Sequence, residues 1–401
     1  MSERKRVVLV AATTGYQTRM FGEAAERAGI NLILATDRCH VLEDPWGDRA
    51  LPLKFDQPEG AADVIAAAGR VDGIVAVGDR PAYVASLVAE RLGLRFHPPT
   101  AVTASRSKFL ARERFRAAGL LVPEFFRLPV ASEPSESTFY PCVLKPLGLS
   151  ASRGVIRADN AGEFRAAFHR IRALLDDPDI RRMHDEQDRF IQVESFIVGR
   201  EFALEGIVTN GKLRNLALFD KPDPLNGPFF EETIYVTPSR EGAAVQEAIE
   251  ETTQQAISAL GLTHGPIHAE MRANDRGIWM LEVAARPIGG LCAKALPGLE
   301  ELILRHAVGE VNPPLPEIRA SGVMMIPIPR EGVFVGVEGV PDHPEVIITA
   351  KKGQKLVPLP EGNSYLGFIF ANGESPGKVE QTLRRTHSLL RFDIAGALPV
   401  I

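Results

Sequence analysis

From residue 6 to about residue 128 the chain alternates short apolar runs with amphipathic segments, and this pattern limits the fold more than any other feature. RVVLVAA (6–12) and NLILATD (31–37) are apolar runs of strand length. FGEAAERAGI is an amphipathic helix stopped at Gly29, and AADVIAAAGR, VDGIVAVGD and PAYVASLVAERLGL continue the alternation. Strands apolar on both faces and separated by helices predict an α/β unit, an open parallel sheet covered on both sides. The first turn, AATTGYQTRMFG, has no GxGxxG, so a dinucleotide site and a Rossmann oxidoreductase are not supported. The helix N-terminus there still offers a place for an anion.

The length of 401 residues accommodates two to three domains. The net charge of −5 gives no general attraction to nucleic acid or to an anionic membrane. No run approaches the ~20 apolar residues of a spanning helix. The N-terminal apolar run is too short for a signal peptide and reads as a first strand. Cys39, Cys142 and Cys292 are widely spaced with no zinc pattern, which fits a reducing cytoplasm.

Beyond residue 105 the character becomes mixed. SRSKFLARERFRAAGLLVPEF reads as a helix with a glycine stop, and PSEST (134–138) as a surface turn. YPCVLKPLGLSASRGVIRA reads as strand, Gly/Ser-rich turn and strand; AGEFRAAFHRIRALL is an amphipathic helix. A run of strands follows from 189 to 219, with NG at 210–211 as a hairpin signal. FDKPDPLNGPFFEETIYVTPS (219–239) reads as a long functional loop, and EGAAVQEAIEETTQQAISALGL as a long helix. After VNPPLPE short strands dominate, and the segment closes with the helix SPGKVEQTLRRTHSLLRF.

The hairpin IHAEMRANDRGIWMLEVAARPIGG (267–290) sets two carboxylates in apolar surroundings. With DRG as the loop, Asn274 pairs with Ile278 and Glu270 stands opposite Glu282. Opposed side chains share a face, with Cβ atoms about 4.5–5.5 Å apart. Two carboxylates so placed persist if solvated, if one is protonated, or if a cation lies between them. Hard oxygen ligands of this kind suit Mg²⁺. His268 shares the face of Glu270, and Arg286 follows the second strand.

Phosphate signals lie upstream. PLGLSASRGV places Gly148, Ser150, Ser152 and Gly154 between two strands, where backbone amides and hydroxyls can reach phosphate oxygens. Lys145, on the same strand face as Val143, needs an anion nearby. Lys108 reads as a solvent-facing helix lysine. In VESFIVGREF, Glu194 and Glu201 flank a turn; a carboxylate can accept ribose hydroxyls, and backbone groups at Ser195 and Ile197 can pair with a base edge. Each signal alone also describes an ordinary turn or surface.

Taken in order, SKFLARERFRAAGLLVPEF, VLKPLGLSASRGV, VESFIVGREF, HAEM and LEVAARPIGG resemble the ATP-grasp superfamily over residues 6 to 310. EVAARPIGG and the tail resemble its amino-acid ligase branch. The resemblance implies an ATP-grasp fold of α/β and α+β character. Its parts would be a Rossmann-like pre-grasp domain (1–105), an ATP-grasp domain (106–310, lid about 125–193, large subdomain about 194–310) and a small mixed C-terminal domain (311–401).

It also implies roles. Lys108 and Lys145 would contact phosphates, with the loop from Leu147 to Gly154, including Ser150 and Ser152, as a flap. Glu194, Ser195 and Ile197 would hold adenine and Glu201 the ribose. Glu270 and Glu282 would hold Mg²⁺ or Mn²⁺, and Arg286, with His268, would face the reacting groups. Many members carry Asn where this chain has Ala284, which leaves the number of ions open.

The implied activity is ATP-dependent joining of a small-molecule carboxylate to an amine through an acyl phosphate. Lys221, Glu231 and Glu232 are candidate substrate readers, as are Gly289 and Gly290. A purine-pathway or carboxylase-type relative and a catalytically silent nucleotide binder are the alternatives. Neither nucleic acid nor membrane is an expected partner, and a homodimer is implied by the family alone.

Overall fold

The computed structural model describes residues 4–12, 16–37, 50–134, 139–183, 185–311, 313, 315–316 and 319–396. Cys39, most of PSEST, part of VNPPLPE and residues 13–15 of the first turn lie outside the described residues.

The N-terminal alternation becomes four parallel strands in the order Ala50–Pro52, Asn31–Thr36, Arg6–Ala11, Gly73–Val77. Their side chains alternate between two cores. Val8, Val10 and Ile74 pack with the helices Pro58–Ala67 and Asp79–Leu92; Val7, Leu9 and Val75 pack with Tyr16–Ala28. Burial on both faces is why the runs are apolar throughout. The chain moves to one side of Arg6–Ala11 and then to the other. That switch places the C-terminal ends of Arg6–Ala11 and Gly73–Val77 around a crevice, the usual ligand position in such sheets.

A second, antiparallel sheet runs Phe125–Pro129, Phe190–Ser195, Cys142–Pro146, Ile156–Ala158. Helix Ala161–Leu175 starts where the Asn160 side chain accepts from the Glu163 amide. It buries Phe164, Phe168, Ile171 and Leu175, one helical face, against Cys142, Leu144 and Ile156.

The largest sheet has eight strands. In order they are Gly277–Ala284, Gly265–Asn274, Arg200–Thr209, Lys212–Lys221, Ile234–Thr237, Ala320–Ile326, Gly367–Gly373 and Val346–Ile348. Asn210 and Gly211 both have positive φ, 51° and 79°, so NG makes the tight turn its sequence suggests. The stretch 219–239 differs from expectation: strands claim both of its ends, and the loop is 222–233. A second difference lies at the tail, where helix Pro376–Leu389 is followed by the strand Arg391–Ala395 in a three-stranded sheet. The large sheet is continuous across residue 310, because Ala320–Ile326 pairs with Ile234–Thr237.

Candidate active site

A cavity of about 680 Å³ opens where the parallel-strand ends, the lid sheet and the large sheet meet. The hairpin 267–290 forms its floor. Asn274 pairs with Gly277 rather than Ile278, so the loop is one residue shorter than expected. Leu281 bulges between Met280 and Glu282, and the bulge restores the offset: Glu270 stands opposite Glu282.

Strand alternation builds a charged lattice on this face. Glu201, Ala203 and Glu205 lie opposite Arg272, Glu270 and His268, while Lys221 lies opposite Glu201 from the other side. Arg272 Nε meets Glu201 Oε2 at 2.8 Å. Lys221 Nζ meets Glu201 Oε1 at 3.0 Å, Glu232 Oε1 at 2.5 Å and Glu270 Oε1 at 3.4 Å. His268 lies between Glu205 Oε2 at 3.1 Å and Glu270 Oε1 at 3.3 Å. Burial opposes charge on this imidazole, but the hydrogen bonds to Glu205 and Glu270 push its pKa up to about 9. Both ring nitrogens of His268 face carboxylates, an arrangement that favours the protonated imidazole. Burial also opposes charge on Glu270, yet Lys221 and then His268 hold it well below the carboxylate range.

Two sets of carboxylates could take a cation. Glu201, Glu232 and Glu270 bring oxygens within 4.8 Å of one another, but Lys221 already bridges them. Glu282 lines the cavity and makes no hydrogen bond or ion pair among the described residues; Glu270 commits only Oε1. Unengaged carboxylate oxygens on facing strands fit Mg²⁺, a hard cation that keeps waters and phosphate in its shell. Ala284 adds no ligand.

On the lid side, Lys145 Nζ donates to Glu194 Oε2 at 2.6 Å, and Arg112 forms an ion pair with Glu194, its Nε 2.8 Å from Oε1 and its Nη2 donating to Oε2 at 3.4 Å. Glu194 is the anion that Lys145 needed. Burial would raise the Glu194 pKa, but Arg112 and then Lys145 hold it at about 2. Lys108 is half-buried, not solvent-facing, and donates to the Leu149 carbonyl at 2.6 Å. Ser150, Ala151 and Ser152 line the cavity. Ala151 and Ser152 hold φ of 56° and 55°, a strain of about 1–3 kcal/mol each that surrounding contacts must sustain.

Several expected contacts either lie off the cavity or are already taken by protein partners. Gly154 lies off its wall, and its amide donates to the Pro360 carbonyl at 2.8 Å. Lys221 is buried behind the wall among carboxylates, so it has no charge to spare for a substrate. Glu231 does not line the cavity, whereas its neighbour Glu232 does. The Ser195 amide donates to the Glu124 carbonyl, and the Ile197 carbonyl accepts from Arg272 at 2.6 Å, which leaves fewer backbone groups for a base edge. Both oxygens of Glu201 already carry partners.

The structure brings Lys108, Lys145, Ser150, Ser152, Glu194, Ser195, Ile197, Glu201, His268, Glu270, Glu282, Arg286, Gly289 and Gly290 around this cavity. It adds residues that sequence reading missed. Arg286 Nε bonds Asp79 Oδ1 at 2.8 Å, from the first turn of Asp79–Leu92. Glu205 accepts the Ile288 amide at 3.0 Å, and Gln17 donates to the Ile288 carbonyl at 3.0 Å, so the turn 286–290 is fixed from two sides. Asp79 opens the helix that follows the parallel strand Gly73–Val77 at a switch point, a signal that was readable. The E-x-A-x-E spacing at 201–205 facing H-x-E-x-R at 268–272 was readable too.

Residues 138–295 match the family described as ATP-grasp domain, and 324–395 match L-amino acid ligase C-terminal domain 2. Residues 138–295 thus carry an ATP-grasp domain, followed by a segment that matches an L-amino acid ligase C-terminal domain. It is similar to the ATP-grasp enzyme fsqD of Aspergillus fumigatus, 25% identical over 71% of this chain and 56% of that protein. It is also similar to dapdiamide A synthase of Enterobacter agglomerans, 28% identical over 42% of this chain and 37% of that protein. The chain thus spans about half or less of the length of these relatives. The L-amino acid ligase structure from Bacillus licheniformis superposes with a TM-score of 0.83 at 26% identity, covering 99% of this chain and 100% of that one. ATP-grasp enzymes use ATP and Mg²⁺ and act on small molecules.

Proposed function

We propose that the chain is an ATP-dependent carboxylate–amine ligase with an amino acid among its substrates. One observation carries the reading: phosphate-side cations, unengaged carboxylate oxygens and Arg286 converge on a single cavity. A substrate carboxylate oxygen attacks the γ-phosphorus of ATP, giving an acyl phosphate and ADP. An amine then attacks the acyl carbon, phosphate leaves with the bonding pair, and the amine sheds a proton. The protein's part is positioning and charge neutralisation.

Lys108, Lys145 and the flap 147–154 would receive the phosphates, and Glu194 to Ile197 with Glu201 would hold the nucleoside. Glu270 and Glu282 would hold Mg²⁺, which when bound neutralises phosphoryl oxygens. Arg286, oriented by Asp79, would face the transferred group or the acyl phosphate. His268, protonated, would orient Glu270. Glu232, Gly289 and Gly290 are left to read the substrate. Domain limits of 1–105, 106–310 and 311–401, a cytoplasmic setting and a homodimer belong to the same proposal. Among the described residues no helix is long and apolar enough to cross a membrane.

The test is phosphate release from Mg-ATP with amino acids, small carboxylic acids and amines, singly and in pairs, with mass spectrometry of the products. Release that needs two components and yields a condensed product is expected. Release that depends on bicarbonate would move the reading to a carboxylase. Saturable ATP binding with no release under any pairing would leave a silent nucleotide binder.

A further inference from the structure

The flap is bonded to residues from beyond the lid. Gly154 N donates to the Pro360 carbonyl at 2.8 Å, and Arg153 Nε donates to the Glu361 carbonyl at 2.7 Å. Arg170, on the lid helix Ala161–Leu175, donates through Nε and Nη2 to the two oxygens of Glu361 at 2.5 and 2.9 Å. Its guanidinium also covers the Phe229 ring at 5.0 Å. The Glu361 loop is itself wound tightly, since a Cβ at Gly362 would meet the Val357 carbonyl oxygen at 1.8 Å. Two residues past Glu361, Asn363, Ser364 and Tyr365 enter the cavity wall. One short loop therefore grips the flap at one end and borders the cavity at the other.

An exposed ion pair contributes little to stability. A two-point guanidinium–carboxylate fork contributes orientation, which a strained flap needs. Ala151 and Ser152 hold left-handed φ on the cavity wall and depend on outside contacts to stay there.

We propose that Glu361 is a positioning residue for the flap: it ties the flap to the loop that walls the cavity, so that the acyl phosphate is shielded from water only while that wall is seated. This rests on the reading that residues 147–154 cover the nucleotide phosphates. With the tie cut, the flap opens more often and water reaches the acyl phosphate. Water adds to the acyl carbon, phosphate leaves, and the carboxylate is regenerated without an amide.

The experiment uses the full chain with Glu361→Gln, and Arg170→Gln as a second variant cutting the same fork. Hydrogen exchange of residues 148–155 is followed with saturating Mg²⁺ and a non-hydrolysable ATP analogue. Exchange at least about threefold faster in either variant is expected, with the double variant no faster than the singles. With the substrate pair found by product analysis, phosphate released per product rises above the parent ratio while KM for ATP changes little. Unchanged exchange overturns the tie, whatever the reaction is. Faster exchange with an unchanged ratio overturns the coupling. If nucleotide gives the parent flap no protection, the flap reading falls, and the proposal falls with it.

Discussion

Glu282 is the residue on which the metal assignment turns. Its carboxylate lines the cavity without a hydrogen bond or close ion pair among the described residues, and the nearby charge acting with it is that of Arg286, on the same cavity. Glu282→Gln is expected to reduce ATP turnover by roughly a hundredfold or more while leaving the melting transition in place. A variant with near-parent turnover would remove Glu282 from the metal site. Glu194 predicts the opposite pattern. It is buried between Arg112 and Lys145, and removing its charge leaves a buried guanidinium uncompensated. Glu194→Gln should cost about 3 kcal/mol in urea unfolding. A loss under about 1 kcal/mol would mean that the ion triad is not structural. The sequence showed both residues as carboxylates near strand ends. It did not separate a buried salt-bridged carboxylate from an unpaired one, because that depends on Arg112, 82 residues away.

At the scale of elements, the hairpin 267–290 and the helix Leu299–Ala307 show how local pattern and packing divide the work. Period-two alternation revealed which hairpin side chains share a face, but the bulge at Leu281 was not legible. A one-residue loop change and a one-residue bulge cancel in register, and sequence spacing reports only their sum. Helix Leu299–Ala307 packs on Tyr16–Ala28 and buries Glu300 in its first turn, with Oε1 unpartnered. Burial raises the Glu300 pKa to about 7; Glu205 and Glu23 add to the rise, and Arg27 and backbone hydrogen bonding oppose it. The folded state thus binds this proton more tightly than the unfolded chain, whose ordinary value is 4.5. The stabilisation is complete below that value and is lost as pH rises through about 7, on the order of 3 kcal/mol at most. Melting temperatures from pH 5 to 8.5 should fall more steeply for the parent than for Glu300→Gln. Parallel curves would show that Glu300 ionises freely.

For the whole molecule, the eight-stranded sheet is the unit that joins the parts. Ile234–Thr237 pairs with Ala320–Ile326, so strands from either side of residue 310 share one hydrogen-bonded ladder. A fragment of residues 311–401 should therefore lack a cooperative fold by itself, because its first strand would expose an unpaired edge and an apolar face. A sharp thermal transition of the isolated fragment by circular dichroism would overturn this. The sequence alone determined the α/β character of the N-terminal unit, the lid helix, the NG hairpin and the pairing of Glu270 with Glu282. Each of these depends on periodicity or turn chemistry within a few dozen residues. Tertiary structure alone decided that Lys145 is paired to Glu194, that Lys221 is spent on three carboxylates, that Asp79 orients Arg286, and that Glu361 reaches the flap. Those outcomes depend on which charges meet after the chain has folded back, and a buried charge takes whichever partner packing brings within reach.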